Sequence, residues 1–184
     1  IALSPDGHKL FTYKPNVKRG ARSGDIYESE LTGKEWSTPK RLKGEVNTKG
    51  WEPSCSISSN DKRLYFSSDK PGGYGERDIY VSNKLPDGTW AKPINLGPKI
   101  NTPYDEDAPF IHPDGKTLYF SSKGHEGMGG FDIFTSVYPV PDLHHVAYLC
   151  PGSLDLSACH FHWIGPGADF CDAIDHVYCG SSRD

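Results

Sequence analysis

The chain has 184 residues, with 20 Lys and Arg against 24 Asp and Glu and a formal net charge of −4. That balance, with a sequence pI near 6.1, removes the electrostatic case for nucleic acid or an anionic membrane surface as partner. No apolar run approaches the roughly 18 residues of a membrane span, so the chain is not expected to cross a membrane. Twenty Gly, fifteen Pro and 12% aromatics describe many turns between short strands, and no stretch sustains an apolar period of 3.6. The chain reads as all-β.

Taken in order, the first segment runs from "SPDG" at 4–7 through "LFTYKPNVKRGARSGDIYES" at 10–29. "LYFSSDKPGGYGERDIYVSN" at 64–83 is a stronger version of it, and "LYFSSKGHEGMGGFDIFTS" at 118–136 is a third. Leu10, Leu64 and Leu118 are spaced 54 apart, as 64 − 10 and 118 − 64. The same interval relates Trp36 to Trp90, Pro39 to Pro93, Leu42 to Leu96, Asn47-Thr48 to Asn101-Thr102, and Glu52 to Glu106. Such agreement marks a repeated supersecondary unit.

Each unit predicts four short strands. The first covers "EDAPFI" (106–111) and ends in a "PDGK" turn, where Pro presets φ and Gly takes positive φ. The second is "TLYFSS" (117–122); a Gly-rich loop leads to the third, "DIYVSN" (78–83), and "TWAKPINLG" (89–97) supplies the fourth. Four antiparallel strands at this repeat length predict a β-propeller blade. A β-solenoid, the alternative, uses shorter repeats. The expected organisation is a partial propeller of about two and three-quarter blades over 1–137, with blades near 1–50, 51–104 and 105–137. A ring needs about four blades. The expectation is therefore a piece of a longer protein, an open arc, or a ring completed by self-association; a start at Ile1 without Met favours a fragment or processed product.

The repeat then stops. Advancing Trp90, Pro93 and Leu96 by 54 reaches His144, Ala147 and Cys150, and Glu106 maps to His160, so the last unit is expected to hold three strands. Residues 138–184 form a Cys/His-rich tail with no Lys or Glu but four of the five Cys. Three readings stand. Cys150, Cys159, Cys171 and Cys179 permit three disulfide pairings in an exported protein. Alternatively, Cys159, His160 and His162 with Cys171, His176 or Cys179 form a metal site, although the spacing matches no familiar zinc module. The third reading is an out-of-frame, non-native extension. No metal or cofactor is assigned.

The acidic stretch at 105–107 carries the binding candidates. Glu106 repeats Glu52 before a first strand, which predicts a structural acceptor or a group facing the central channel. Asp105 and Asp107 replace Trp51 and Pro53 of the preceding copy, which makes them additions to the repeat and candidates for specific binding. Three carboxylates suit Ca²⁺ by type, but alternate strand residues face opposite ways. Trp51 does not recur at the interval of 54, and with Tyr104 it lies beside these acids, which suggests a channel-face surface for sugar or peptide. Asp25, Asp78 and Asp132 each open a third strand and predict a structural hydrogen bond. Trp36 and Trp90 are expected to pack between blades. The Gly-rich loops bearing Tyr74 and Met128 are hairpin loops, not phosphate cradles, since no helix follows them. No nucleophile with a matched base and no separated carboxylate pair is visible, so no catalytic residue is assigned.

"SPDGHKLF", "HPDGKTLYFSS", "DKPGGYGERDIYVS" and "INLGPKINTPYDEDAPFIHPDGKTLYFSS" resemble the PD40 (WD40-like, TolB-type) propeller repeat over residues 1–136. They are most similar to copies in OmpA-family, peptidoglycan-associated outer-membrane proteins of Bacteroidetes-type bacteria. The resemblance implies a non-enzymatic binding or scaffold module, periplasmic or outer-membrane associated, whose partner is a protein or envelope component. The alternative it allows is the propeller portion of an envelope hydrolase or peptidase whose catalytic domain lies elsewhere.

Overall fold

The computed structural model describes residues 1–16 and 23–137 in full and the backbone of residues 145–148. Runs of period two, bounded by Pro, Gly and Asp turns, fold as three antiparallel sheets, with no helix among the described residues. The first sheet contains β1 (Ala2–Leu3), β2 (Lys9–Pro15), β3 (Gly24–Thr32), β4 (Glu35–Trp36) and β5 (Lys40–Arg41). Both β4 and β5 pair with β3, and β5 takes the fourth-strand place. The second runs β6 (Cys55–Ile57), β7 (Arg63–Ser68), β8 (Asp78–Asn83) and β9 (Ile94–Asn95). The third runs β10 (Glu106–Ile111), β11 (Thr117–Ser122), β12 (Asp132–Val137) and β13 (His145–Tyr148). Apart from β5, which pairs with β3, sequence-adjacent strands pair within each sheet, the meander of propeller blades.

The last sheet corrects one expectation: it has four strands, not three. β13 pairs with β12 from Phe134 opposite Tyr148 to Val137 opposite His145. This pairing is made by backbone amides and carbonyls, so it requires an extended segment but not the repeat's Trp, Pro and Leu. Four residues past the boundary expected at 137/138 thus join the third sheet. Cys150, Cys159, Cys171 and Cys179, and the His residues grouped with them, lie outside the described residues.

Two apolar layers hold the sheets together. In the first, Phe11 and Ile26 of the first sheet meet Leu64, Phe66 and Tyr80 of the second. In the other, Tyr65 and Ile79 of the second sheet meet Leu118, Phe120 and Phe134 of the third. β7 is thus buried on both faces: Leu64 and Phe66 look one way and Tyr65 the other, as alternation requires. Each such fully buried side chain contributes about 1.5–3 kcal/mol.

A parallel bridge between Gly44 and Trp90 ties the first two sheets at their outer edges. Trp90 N donates to Lys43 O (3.0 Å) and Glu45 N to Trp90 O (3.2 Å). Trp90 is buried in the first apolar layer, whereas Trp36 is 41% exposed rather than packed between blades. The difference is one of neighbours: Trp90 rests on Gly44 of the preceding unit, whereas among the described residues Trp36 pairs only within its own sheet, opposite Leu31. Gly44 has φ +101°, and an added Cβ would overlap the Trp90 carbonyl oxygen. Gly44→Ala should therefore cost about 2–4 kcal/mol in urea unfolding, and Gly7→Ala, also at positive φ but in open space, only about 1 kcal/mol. Equal losses for the two would remove the interblade bridge as the cause.

Candidate functional site

Glu52 and Glu106, the recurring acids, are fully buried. Thr102 N and Thr102 Oγ1 donate to the Glu106 carboxylate at 2.7 Å each, and Ser122 Oγ donates at 2.6 Å. Glu52 accepts the matching set from Thr48 N (3.3 Å), Thr48 Oγ1 (2.5 Å) and Ser68 Oγ (2.8 Å). Burial pushes both carboxyls above the usual Glu range, against the opposing pull of these hydrogen bonds. Each acid locks the segment entering a first strand to the end of the second strand.

Asp105 and Asp107 point elsewhere. A register irregularity in β10 between Asp107 and Phe110, with Ala108 at φ 49°, re-aims this part of the strand. Asp107 accepts from Ser54 Oγ (2.5 Å) and Ser67 Oγ (2.7 Å) of the second sheet. Its other oxygen lies 3.3 Å from the Arg77 guanidinium. Asp105 lies 3.6 Å from the same guanidinium and 2.8 Å from Lys123 Nζ. The carboxylates at 105–107 are thus divided, one inward and two toward Arg77, which dismantles the three-oxygen Ca²⁺ cluster that residue type suggested.

Arg77 is the centre that sequence reasoning missed. Its side chain is 8% exposed, and its guanidinium stacks on the Trp51 ring at 4.8 Å, a desolvated cation–π contact. The backbone holds it in place: Arg77 and Asp105 form a parallel bridge, and Glu106 N donates to Arg77 O at 2.7 Å. Gly24 and Phe131 occupy the equivalent position before Asp25 and Asp132 in the other units. A residue that departs from its repeat was the available signal. Trp51, Asp69, Glu76, Arg77, Asp105 and Lys123 line a cleft of about 350 Å³ between the second and third sheets. Trp51 N donates to Asp69 Oδ1 at 2.6 Å, so Trp51 forms a wall of the cleft. Tyr104 is 59% exposed and is not among the residues lining it.

The repeated Asp residues organise the Gly-rich loops. Asp78 accepts from Tyr74 N (2.6 Å), Gly75 N (3.0 Å) and Asn95 Nδ2 (2.7 Å). Asp132 accepts from Gly129 N (3.1 Å), and Asp25 pairs with Arg41 (2.9 Å). Added Cβ atoms at Gly73 and Gly127 would overlap the carboxylates of Asp78 and Asp132, so these loops wrap their Asp too closely for a side chain. Tyr74 and Met128 at the loop tips are 53% and 74% exposed.

No family model matches the chain, and no curated protein matches it. Among solved structures, the crystal structure of TolB from Acinetobacter baumannii is similar, with a TM-score of 0.51 and 19% identity. The match covers 84% of this chain but 32% of that one, so the chain spans about a third of its neighbour. The fold is TolB-like, a β-propeller in part.

Proposed function

We propose that this chain is a non-enzymatic binding module of a bacterial cell-envelope protein, of the PD40 type that accompanies OmpA-family domains, working in the periplasm or at the outer membrane. The observation that carries this reading is the cleft. Trp51 and Asp105, two residues singled out for departing from the repeat, line it together with Arg77, and Asp107 supports that arginine from behind. Its walls alternate charge, Asp69 and Glu76 with Arg77, Asp105 with Lys123. Such a surface suits a polar protein segment whose charged groups exchange with the rim pairs. Ser54 and Ser67 donate to Asp107 with no imidazole between them, an arrangement that activates neither hydroxyl as a nucleophile.

Pull-down from envelope extract tests the reading. The rim variant Asp105→Asn with Lys123→Ala should recover its partner at least about tenfold less than the parent chain, with an unchanged circular dichroism spectrum. Equal recovery would remove the cleft as the recognition surface. Turnover by the parent chain of envelope peptides or glycans, lost on Arg77→Ala, would replace the binding reading with an enzymatic one.

A further inference from the structure

The cleft lined by Trp51, Asp69, Glu76, Arg77, Asp105 and Lys123 leaves polar groups of both kinds unmet. The Arg77 side chain is 8% exposed, yet both of its ion pairs run through Nη2, at 3.6 Å to Asp105 and 3.3 Å to Asp107. Charge-assisted N–H···O bonds close to about 2.7–2.9 Å, so these contacts are loose. Arg77 Nε is buried with no hydrogen-bond partner among the described residues, and so is Nε1 of the Trp51 ring stacked beside it. A guanidinium is all donor, and one buried so deeply normally has its acceptors. The cleft that Arg77 lines gives an acceptor room to reach it.

The acids on the same walls are divided. Asp105 has Lys123 Nζ at 2.8 Å, but Asp69 and Glu76 have no cationic partner among the described residues. Asp69 commits one oxygen to the Trp51 amide at 2.6 Å. Glu76 is exposed, its backbone N–H donating to Tyr104 O at 3.2 Å. Three carboxylates therefore line the cleft against two cations, and Asp107 behind Arg77 adds a fourth. Charge complementarity calls for a cationic occupant. A carboxylate on that occupant would satisfy Arg77 but meet repulsion from all of these acids, whereas a neutral carbonyl satisfies it without that penalty. Tyr104, exposed and joined to Glu76 through the backbone bond, offers an aromatic surface to the methylenes of a long basic side chain.

We infer that the cleft takes a lysine or arginine of an extended protein segment, its charged end against Asp69 and Glu76 and a neighbouring backbone carbonyl on the Arg77 guanidinium. This rests on the cleft being the recognition surface and adds the chemistry of what enters it. Arg77 reads the main chain of the segment, and the two unpaired acids read its side chain. Affinity and selectivity are then carried by different residues.

Selection of a displayed library of random short peptides on the intact 184-residue chain tests this. Selected peptides should carry Lys or Arg at one shared position, and norleucine at that position in the synthetic peptide should weaken binding at least about tenfold. Asp69→Asn with Glu76→Gln should weaken it as much with an unchanged circular dichroism spectrum, because asparagine keeps an oxygen for the Trp51 amide and Glu76 is exposed. Asp69→Asn with Glu76→Lys should turn a fresh selection toward Asp or Glu at the same position. Peptides that bind, and are lost with Asp105→Asn and Lys123→Ala, but share no basic position would overturn the inference and leave the cleft as the recognition surface. Peptides indifferent to every one of these variants would overturn both. A chain that selects no peptide also overturns the inference, and the pull-down then decides the wider reading.

Discussion

Glu106→Ala should destabilise the chain by about 3–5 kcal/mol, and Glu106→Gln by less than about 1.5 kcal/mol. The alanine leaves the Thr102 amide and two hydroxyls, from Thr102 and Ser122, facing an empty space where a carboxylate accepted all three. A buried donor without an acceptor costs about 1–3 kcal/mol. Glutamine keeps a carbonyl for the Thr102 amide, and its NH₂ donates to hydroxyls that can rotate to accept. The pH dependence has a definite sign. Burial raises this carboxyl in the folded state, so between the unfolded and folded values the native chain holds more protons than the unfolded one. Stability from this group therefore falls as pH rises through that window and is fullest below it. Glu52 acts in the same direction. Urea unfolding from about pH 4 upward should show the trend, and Glu106→Gln should flatten part of it. An alanine variant within 1 kcal/mol of the parent would mean that water replaces the carboxylate without loss.

Asn101→Ala should cost a similar amount, about 3–5 kcal/mol, for a different reason. Asn101 is 1% exposed and substitutes for a strand: its Oδ1 accepts from Ile79 N (2.7 Å), and its Nδ2 donates to Ile79 O (2.9 Å) and to Asn95 Oδ1 (2.8 Å). Asn47 makes the equivalent pair with Ile26 N (2.7 Å) and Ile26 O (2.9 Å). The short β5 and β9 leave the third strand of each sheet incompletely paired, and this amide fills the gap. Alanine orphans the buried Ile79 N–H and removes the shorter of two hydrogen bonds to Ile79 O, which Leu96 N still reaches at 3.2 Å. Asn101→Asp should be no better, since a carboxylate accepts from Ile79 N but has no donor for two oxygen acceptors. Amide hydrogen exchange at Ile79 reports the loss directly: its protection should fall more than that of Tyr65 in the adjoining strand. Equal changes at both would indicate general loosening instead of a broken clamp.

Much of this architecture was legible in the residues. The runs "EDAPFI", "TLYFSS" and "DIYVSN" coincide with β10, β11 and β8, since alternation and Pro-Asp-Gly turns are local signals. The Asn-Thr pairs were visible only as markers of the period, because nothing local shows that an Asn will face a strand left half-paired. The candidate site was legible in part: Trp51, Asp105 and Asp107 stood out as departures from the repeat. Arg77 was passed over beside the more regular Asp78, yet it is the group that gathers them.

By itself, then, the sequence determined the period of 54, the strand order within each unit and the Gly-rich loops closed around Asp. Those features depend on backbone geometry and hydrogen bonds within a few residues of one another. Only the tertiary structure decided that Glu106 turns inward while Asp105 and Asp107 turn to Arg77. It alone buries Tyr65 at 5% exposure and leaves Tyr119, from an identical "LYFSS" run, partly open, and it alone pairs β13 without a repeat motif. Burial and pairing belong to whichever surface or strand edge lies opposite. A residue does not encode its neighbour across a blade interface, and that neighbour sets what the residue does.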